Sequence, residues 1–372
     1  MQSNSRIIVY TRVLVTIAML IGFAVPARPA VGTQAFIAGL NNFKPSISTV
    51  PTNGDVNPYG VAIVPASTGA LVEGSVLVSN FNNSANLQGT GTTILEIGPT
   101  GNVTLFAKIE ASSLPGPCPG GVGLTTALVA LRSGLVIVGS LPTTDGTAAT
   151  AKAGCLIVLN SQGQPVATLS GTGINGPWDM TALDLGGAAV LFVTNVLNGT
   201  VAANGKVVSQ GSVLRIALLT LGDSKPIELA RATIAGAFQE RTDPSALVIG
   251  PTGLALGSDG TLFVADTLQN RIAAIPNALF AFGDAGAGAT VSQGGALNGP
   301  LGLVIAPNGD IVTVNSGDGN MVETTPAGVQ VAVKAVDVSH QGAGTLFGLA
   351  IAPGGKGVYF VDDGNNTLNL LY

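Results

Sequence analysis

Residues 247–276 read LVIGPTGLALGSDGTLFVADTLQNRIAAIP. Pro251-Thr252-Gly253 opens an apolar strand, Asp259-Gly260 turns the chain, a second apolar strand ends at Ala265-Asp266, and Asn270-Arg271-Ile272 opens a third. Two short strands joined by Asp-Gly make an antiparallel hairpin, because glycine supplies the positive φ that such turns need. One hairpin cannot bury both of its faces, so this phrase predicts further copies packed against it.

Weakened copies do recur. The first opens at Asn57-Pro58-Tyr59-Gly60 and continues through 75–80 (SVLVSN), 92–97 and 103–107. The second is degenerate and runs through 125–131, 135–140, 154–159 and 165–169. The third opens at Gly176-Pro177-Trp178-Asp179, passes through 190–195 (VLFVTN) and resumes at 212–217 and 227–233. Residues 247–276 are the fourth, followed by an Ala- and Gly-rich stretch, 277–294, in which only 278–282 suggests a helical turn. The fifth opens at Gly299-Pro300-Leu301-Gly302 and runs through 310–315, 320–324 and 329–335. The sixth covers 346–350, 358–363 and 368–372 and lacks a fourth strand. Four strands in about fifty residues are the content of one propeller blade. The repeats therefore predict an all-β, six-bladed β-propeller over residues 31–372, with a strand near 46–50 supplying the missing edge beside 368–372 and closing the ring.

Composition agrees with this reading. The chain is 46% hydrophobic and only 9% charged, with 52 Gly and 21 Pro among 372 residues, which suits many short strands and tight turns. Strands of about ten residues with aromatic girdles are missing, which argues against an outer-membrane barrel. Arg6 and Arg12 precede an apolar run at 13–25 and small residues follow, so residues 1–30 read as a signal peptide and the protein as exported, periplasmic or extracellular. No comparable apolar run follows, so no membrane span is expected after the leader. A formal charge of −5, more acidic still without Arg6 and Arg12, offers no footprint for nucleic acid. In an oxidising compartment Cys118 and Cys155 pair in one reading; in the other, one is a buried thiol and one a loop thiol.

The repeats resemble the NHL-repeat family of β-propellers. The fourth repeat carries most of the resemblance, through Pro251, Gly253, Leu254, Ala255, Asp259, Gly260, Leu262, Val264, Ala265, Asp266, Asn270, Arg271 and Ile272. Propellers of this kind serve as binding platforms, lactonases and lyases, so the resemblance specifies fold more than activity. In propellers similar to the gluconolactonase family, it implies metal-binding carboxylates and an Asn at the inner-strand openings. Here those openings hold Tyr59, Thr126, Trp178, Thr252, Leu301 and Phe347, and only Asp179, beside Trp178, is acidic. The same positions, with Asp179, form a candidate collar for a small apolar or planar ligand, unless they simply pack between blades.

A second candidate set is the polar residue ending each second strand: Asn80, Ser140, Asn195, Asp266, Asn315 and Asp363. Such residues suit turns, and as a ring of oxygens they would hold calcium, which wants six or more. His340 is the one histidine, which removes multi-histidine zinc sites. Gly171-Thr172-Gly173-Ile174-Asn175-Gly176 spells a dinucleotide fingerprint, but Pro177 follows where a helix should begin. The expectation is a monomeric, non-catalytic binding or scaffold module without a required cofactor. Its ligand would be a protein, a glycan or a small apolar molecule, met by loops 81–91, 141–153 and 196–211 gathered on one face. The alternative is a hydrolase or lyase of the gluconolactonase or strictosidine-synthase type, acting in the channel through Asp179, Asp266, Asp363 and His340.

Overall fold

Apolar runs such as 76–78 and 155–159 are buried residue after residue rather than alternately, which happens when a sheet is covered on both faces. A computed structural model describes residues 34–244, 246–337 and 345–372. The expected leader, residues 1–30, and His340 lie outside the described residues.

Six antiparallel sheets stand around one axis. Blade one is Val56–Ile63, Val76–Asn82, Thr93–Ile97 and Val103–Lys108. Blade two is Leu124–Ala130, Val136–Ser140, Cys155–Leu159 and Pro165–Leu169. Blade three is Pro177–Asp184, Ala188–Asn195, Val208–Leu219 and Ile227–Asp243, with Leu247–Ile249 as an added fifth strand. Blade four is Pro251–Leu256, Leu262–Asp266, Arg271–Ile275 and Ala289–Gln293. Blade five is Pro300–Ile305, Ile311–Asn315, Asn320–Thr324 and Gln330–Ala335. Blade six is Leu346–Ile351, Val358–Asp362, Thr367–Leu371 and, from the start of the chain, Ile47–Ser48. Each innermost strand touches the innermost strands on both sides, and blade six returns to blade one.

The expected seam is present. Ile47 pairs with Leu368 and Ser48 with Thr367, and the backbone N–H of Tyr372 donates to Asn42 O at 2.8 Å. The core lies between blades rather than within them. Leu135, Ile137 and Leu156 of blade two pack on Met180, Leu191 and Leu214 of blade three, while Phe192 and Val213 of blade three pack on Leu254, Val264 and Ala273 of blade four. Hydroxyls stitch the same interfaces at the axis: Ser79 Oγ donates to Thr125 O at 2.8 Å, and Thr194 Oγ1 to Thr252 O at 2.8 Å.

Three expectations need correction. The loop expected at 196–211 holds a helical turn, Thr200–Ala203, and then the start of a long hairpin. Gly211, the expected end of the loop, sits at register shifts inside that ladder, and the fourth strand runs on past the expected end at 233. Residues 247–249, read as part of repeat four, instead extend blade three by pairing with 241–243. The stretch 277–294 contains the fourth strand of blade four, Ala289–Gln293, which its glycines conceal.

Candidate functional site

Near the start of each inner strand one residue pairs with the end of the second strand: Pro58 with Asn80, Leu124 with Ser140, Pro177 with Asn195, Pro251 with Asp266, Pro300 with Asn315 and Leu346 with Asp362. A register shift follows at once in every blade, so the next side chains leave the ladder and meet at the axis. Tyr59 and Phe347 stack with ring centroids 3.7 Å apart, and Trp178 lies 6.3 Å from Tyr59 and 6.1 Å from Phe347. Leu301 joins them, and all four are buried. Phe81 stacks on Tyr59 at 4.4 Å, and Leu141, Val196, Leu247 and Val248 complete the cluster. The collar positions therefore converge and fill one another's space as a plug. Thr252 also belongs to this level, where its hydroxyl lies 2.6 Å from that of Thr267. Burial pushes the Tyr59 phenol well above its usual range, helped by the nearby Asp363.

Sequence reading missed Phe81, Leu141, Val196 and Leu247 in this plug. Phe81, Leu141 and Val196 begin the loops after the second strands, and Leu247 lies on the strand added to blade three. The loops themselves gather here. Thr143 N donates to Gly89 O at 3.0 Å, Gln88 Nε2 to Pro244 O at 3.1 Å, and the Thr200–Ala203 turn touches the Ala148–Thr150 turn. Loops 81–91, 141–153 and 196–211 thus share one face and roof the plug. Cys118 and Cys155 are joined in a disulfide at the edge of this face, beside the Gly120 N to Ala153 O hydrogen bond of 2.8 Å.

Beyond the plug the channel opens into a cavity of about 260 Å³, lined by inner strands of all six blades. One residue past the plug position, blades one, four, five and six carry Gly60, Gly253, Gly302 and Gly348. There a Cβ would meet the neighbouring blade at 2.9, 2.2, 2.0 and 2.4 Å respectively. Blade two carries Ala127, and blade three carries Asp179. The side chain of Asp179 lines the cavity, its Oδ1 accepts from Met180 N at 2.7 Å, and its Oδ2 accepts only a long bond, 3.4 Å, from Leu254 N of blade four. Burial pushes its carboxyl up to about 8, the two backbone donors opposing the shift. Thr126, which also lines the cavity, is buried and its Oγ1 has no partner.

The polar residues at the second-strand ends are anchored by local hydrogen bonds, while Asn80 Oδ1, Asp266 Oδ1 and Asn315 Oδ1 are buried without a partner. Asn80 Nδ2 donates to Thr49 O at 2.9 Å, Ser140 Oγ to Gly121 O at 2.9 Å, and Asn315 Nδ2 to Ala296 O at 2.8 Å. Asn195 Oδ1 accepts from Asn175 N at 3.2 Å, and Asp266 pairs with Arg271 at 2.9 Å. In blade six the equivalent residue is Asp362, not Asp363, because Asp362 is the one paired with Leu346. Asp363 is pushed up to about 8, first by burial and then by its neighbours Asp362 and Asp337. Among the described residues no three His, Cys, Asp or Glu side chains are arranged to hold a metal. The donors a metal would need at the inner-strand openings are replaced by Tyr59, Trp178, Thr252, Leu301 and Phe347, which do not fit calcium.

No protein-family model matches the sequence, and no curated protein matches it. Solved structures do. A gluconolactonase from Xanthomonas campestris matches with a TM-score of 0.53 and 14% identity over 89% of this chain and 95% of that one. Virginiamycin B lyase from Staphylococcus aureus matches with a TM-score of 0.52 and 15% identity over 89% and 99%. Regucalcin from Agrobacterium tumefaciens, a calcium-binding protein, matches with a TM-score of 0.52 and 14% identity over 88% and 93%. The likeness is one of fold. It supports the six-bladed propeller and does not confirm the NHL resemblance.

Proposed function

We propose that the protein is a non-catalytic binding propeller that meets its partner through the loop-bearing face. The observation that carries this reading is the plug: stacked aromatic rings fill the axis at the inner-strand openings, and loops 81–91, 141–153 and 196–211 roof them with their own apolar side chains. Rigidly held loops on a closed scaffold are a recognition surface. A protein or glycan surface suits it best, since a small apolar ligand in the collar would have to displace the stacked rings. The Cys118–Cys155 bond supports export to an oxidising compartment.

Thermal-shift screening of the mature protein against glycans, peptides, lactones and metals tests the reading, because a ligand that binds only the folded form raises the melting temperature. Hits lost when residues 145–150 and 201–206 are replaced by Gly-Ser are expected. Hits indifferent to that replacement, or turnover of a lactone, overturn it.

The fold neighbours named as a lactonase and a lyase supply a second reading, chemistry in the channel. Asp179 favours it, since a carboxyl lifted to about 8 holds a proton that it can donate near neutral pH. It has no close carboxylate partner for the role of base: Asp266 is paired with Arg271, and Asp184 already accepts from Arg132 N at 2.7 Å. Loss of any observed turnover in Asp179→Asn is the check on that reading.

A further inference from the structure

We propose that the open half of the axial channel is a binding site for a small alkylammonium ion, with Asp179 as its counter-charge. The site is independent of the loop-bearing face and opens on the opposite side of the ring.

Three observations converge on it. First, the cavity is real space of about 260 Å³, at the small end for a ligand site and therefore suited to a few heavy atoms. Second, its lining residues are mostly aliphatic, Val61, Leu128, Met180, Leu254, Leu303 and Leu349 among them, with polar surface between them, which suits a small cation carrying a short alkyl chain. Third, its one carboxylate at this level is under-used: Asp179 Oδ2 has a single long hydrogen bond, 3.4 Å from Leu254 N. A buried polar group short of partners costs free energy, and an ammonium N–H supplies the missing donor.

Blade three differs from the other blades at this position. Four of them hold glycine where a Cβ would strike neighbouring atoms, blade two holds Ala127, and blade three alone holds a carboxyl. Asp184 is the other ionisable lining residue, and its oxygens already accept from Arg132 N and from Gly186 N at 2.8 Å. Tyr59 in the plug is the remaining ionisable side chain on the inner strands.

Binding requires the ionised carboxylate, which burial disfavours, so proton release accompanies it. An alkylammonium stays protonated throughout the relevant range, as lysine does up to about pH 10. Calorimetry of the full chain with n-propylammonium, and with n-propanol as the neutral control, tests the site. The expected result is binding of the ammonium and not of the alcohol, with affinity rising about tenfold per pH unit from pH 6 towards about 8 and then levelling. Asp179→Asn abolishes binding at every pH while keeping a cooperative unfolding transition, and the outer-surface control Glu110→Gln binds as wild type. Equal binding of propanol, equal ammonium binding by Asp179→Asn, or affinity flat between pH 6 and 8 overturns the proposal.

Discussion

At the loop-bearing end of the axis Tyr59 and Phe347 stack 3.7 Å apart beneath Phe81, whereas at the other end the same six strands stand around a cavity of about 260 Å³. One step along the strand separates these outcomes. The residue after the opening position, Pro58, Pro177, Pro300 or Leu346, is large in blades one, three, five and six, and four such side chains more than fill the axis. The next residue is glycine in blades one, four, five and six, so the strands close on one another by backbone contact and leave the space below unfilled. A repeat can therefore seal one end of its channel by bulk and keep the other open by smallness. Blade three alone places a carboxyl at the smaller position.

Removing bulk from the sealed end should have the largest effect. Phe347→Ala deletes a buried ring that touches Tyr59 and Trp178, and should cost about 3–5 kcal/mol in urea unfolding. A loss below about 1 kcal/mol would mean that the rings are not packed as a unit. The disulfide bracing the same face comes next. Cys118→Ser should cost about 2–4 kcal/mol, since the bond spans 37 residues of sequence, and reductant should destabilise wild type but not the variant. Gly302→Ala probes the glycine level, where the new Cβ lies 2.0 Å from Phe347 O; about 1–3 kcal/mol of destabilisation is expected, against a smaller change for Asp179→Gly.

The last test is one of pH. Asp179 is lifted from its ordinary 3.8 to about 8, so the folded state holds this proton more tightly than the unfolded chain. Its contribution to stability is complete below about pH 4 and is lost as pH rises through about 8. Glu240, buried and likewise lifted to about 8, acts in the same direction. Denaturation midpoints of Asp179→Asn measured from pH 5 to 9 should fall less steeply than those of wild type. An unchanged slope would show that water in the channel solvates the carboxylate.

Much of this architecture is written locally. Pro251-Thr252-Gly253 and Asp259-Gly260 announce a hairpin wherever they stand, and Gly260 does adopt the positive φ of 81° that the turn needs. The seam between residues 47–48 and 367–368 follows from counting strands. What escaped depends on register and on distant partners. Gly211 reads as a loop until its neighbours are seen to stay paired on both sides. Asp363 and Asp362 are indistinguishable by type, and only pairing with Leu346 separates them. The collar residues were found by position, but that they would stack on Phe81 from another strand has no sequence signal. The glycine series at 60, 253, 302 and 348 was visible, and its exception at 179 was the best available pointer to the cavity.

The junction of residues 47–48 with 367–368 has a temporal meaning. During synthesis the first-made edge strand must wait for almost the entire remaining chain before its partner exists. Until then the growing arc exposes two raw flanks, and the last residues to arrive convert an open fan into a circle. Opening the covalent chain at another hairpin and joining the present ends should therefore reorder assembly while leaving the finished ring unchanged.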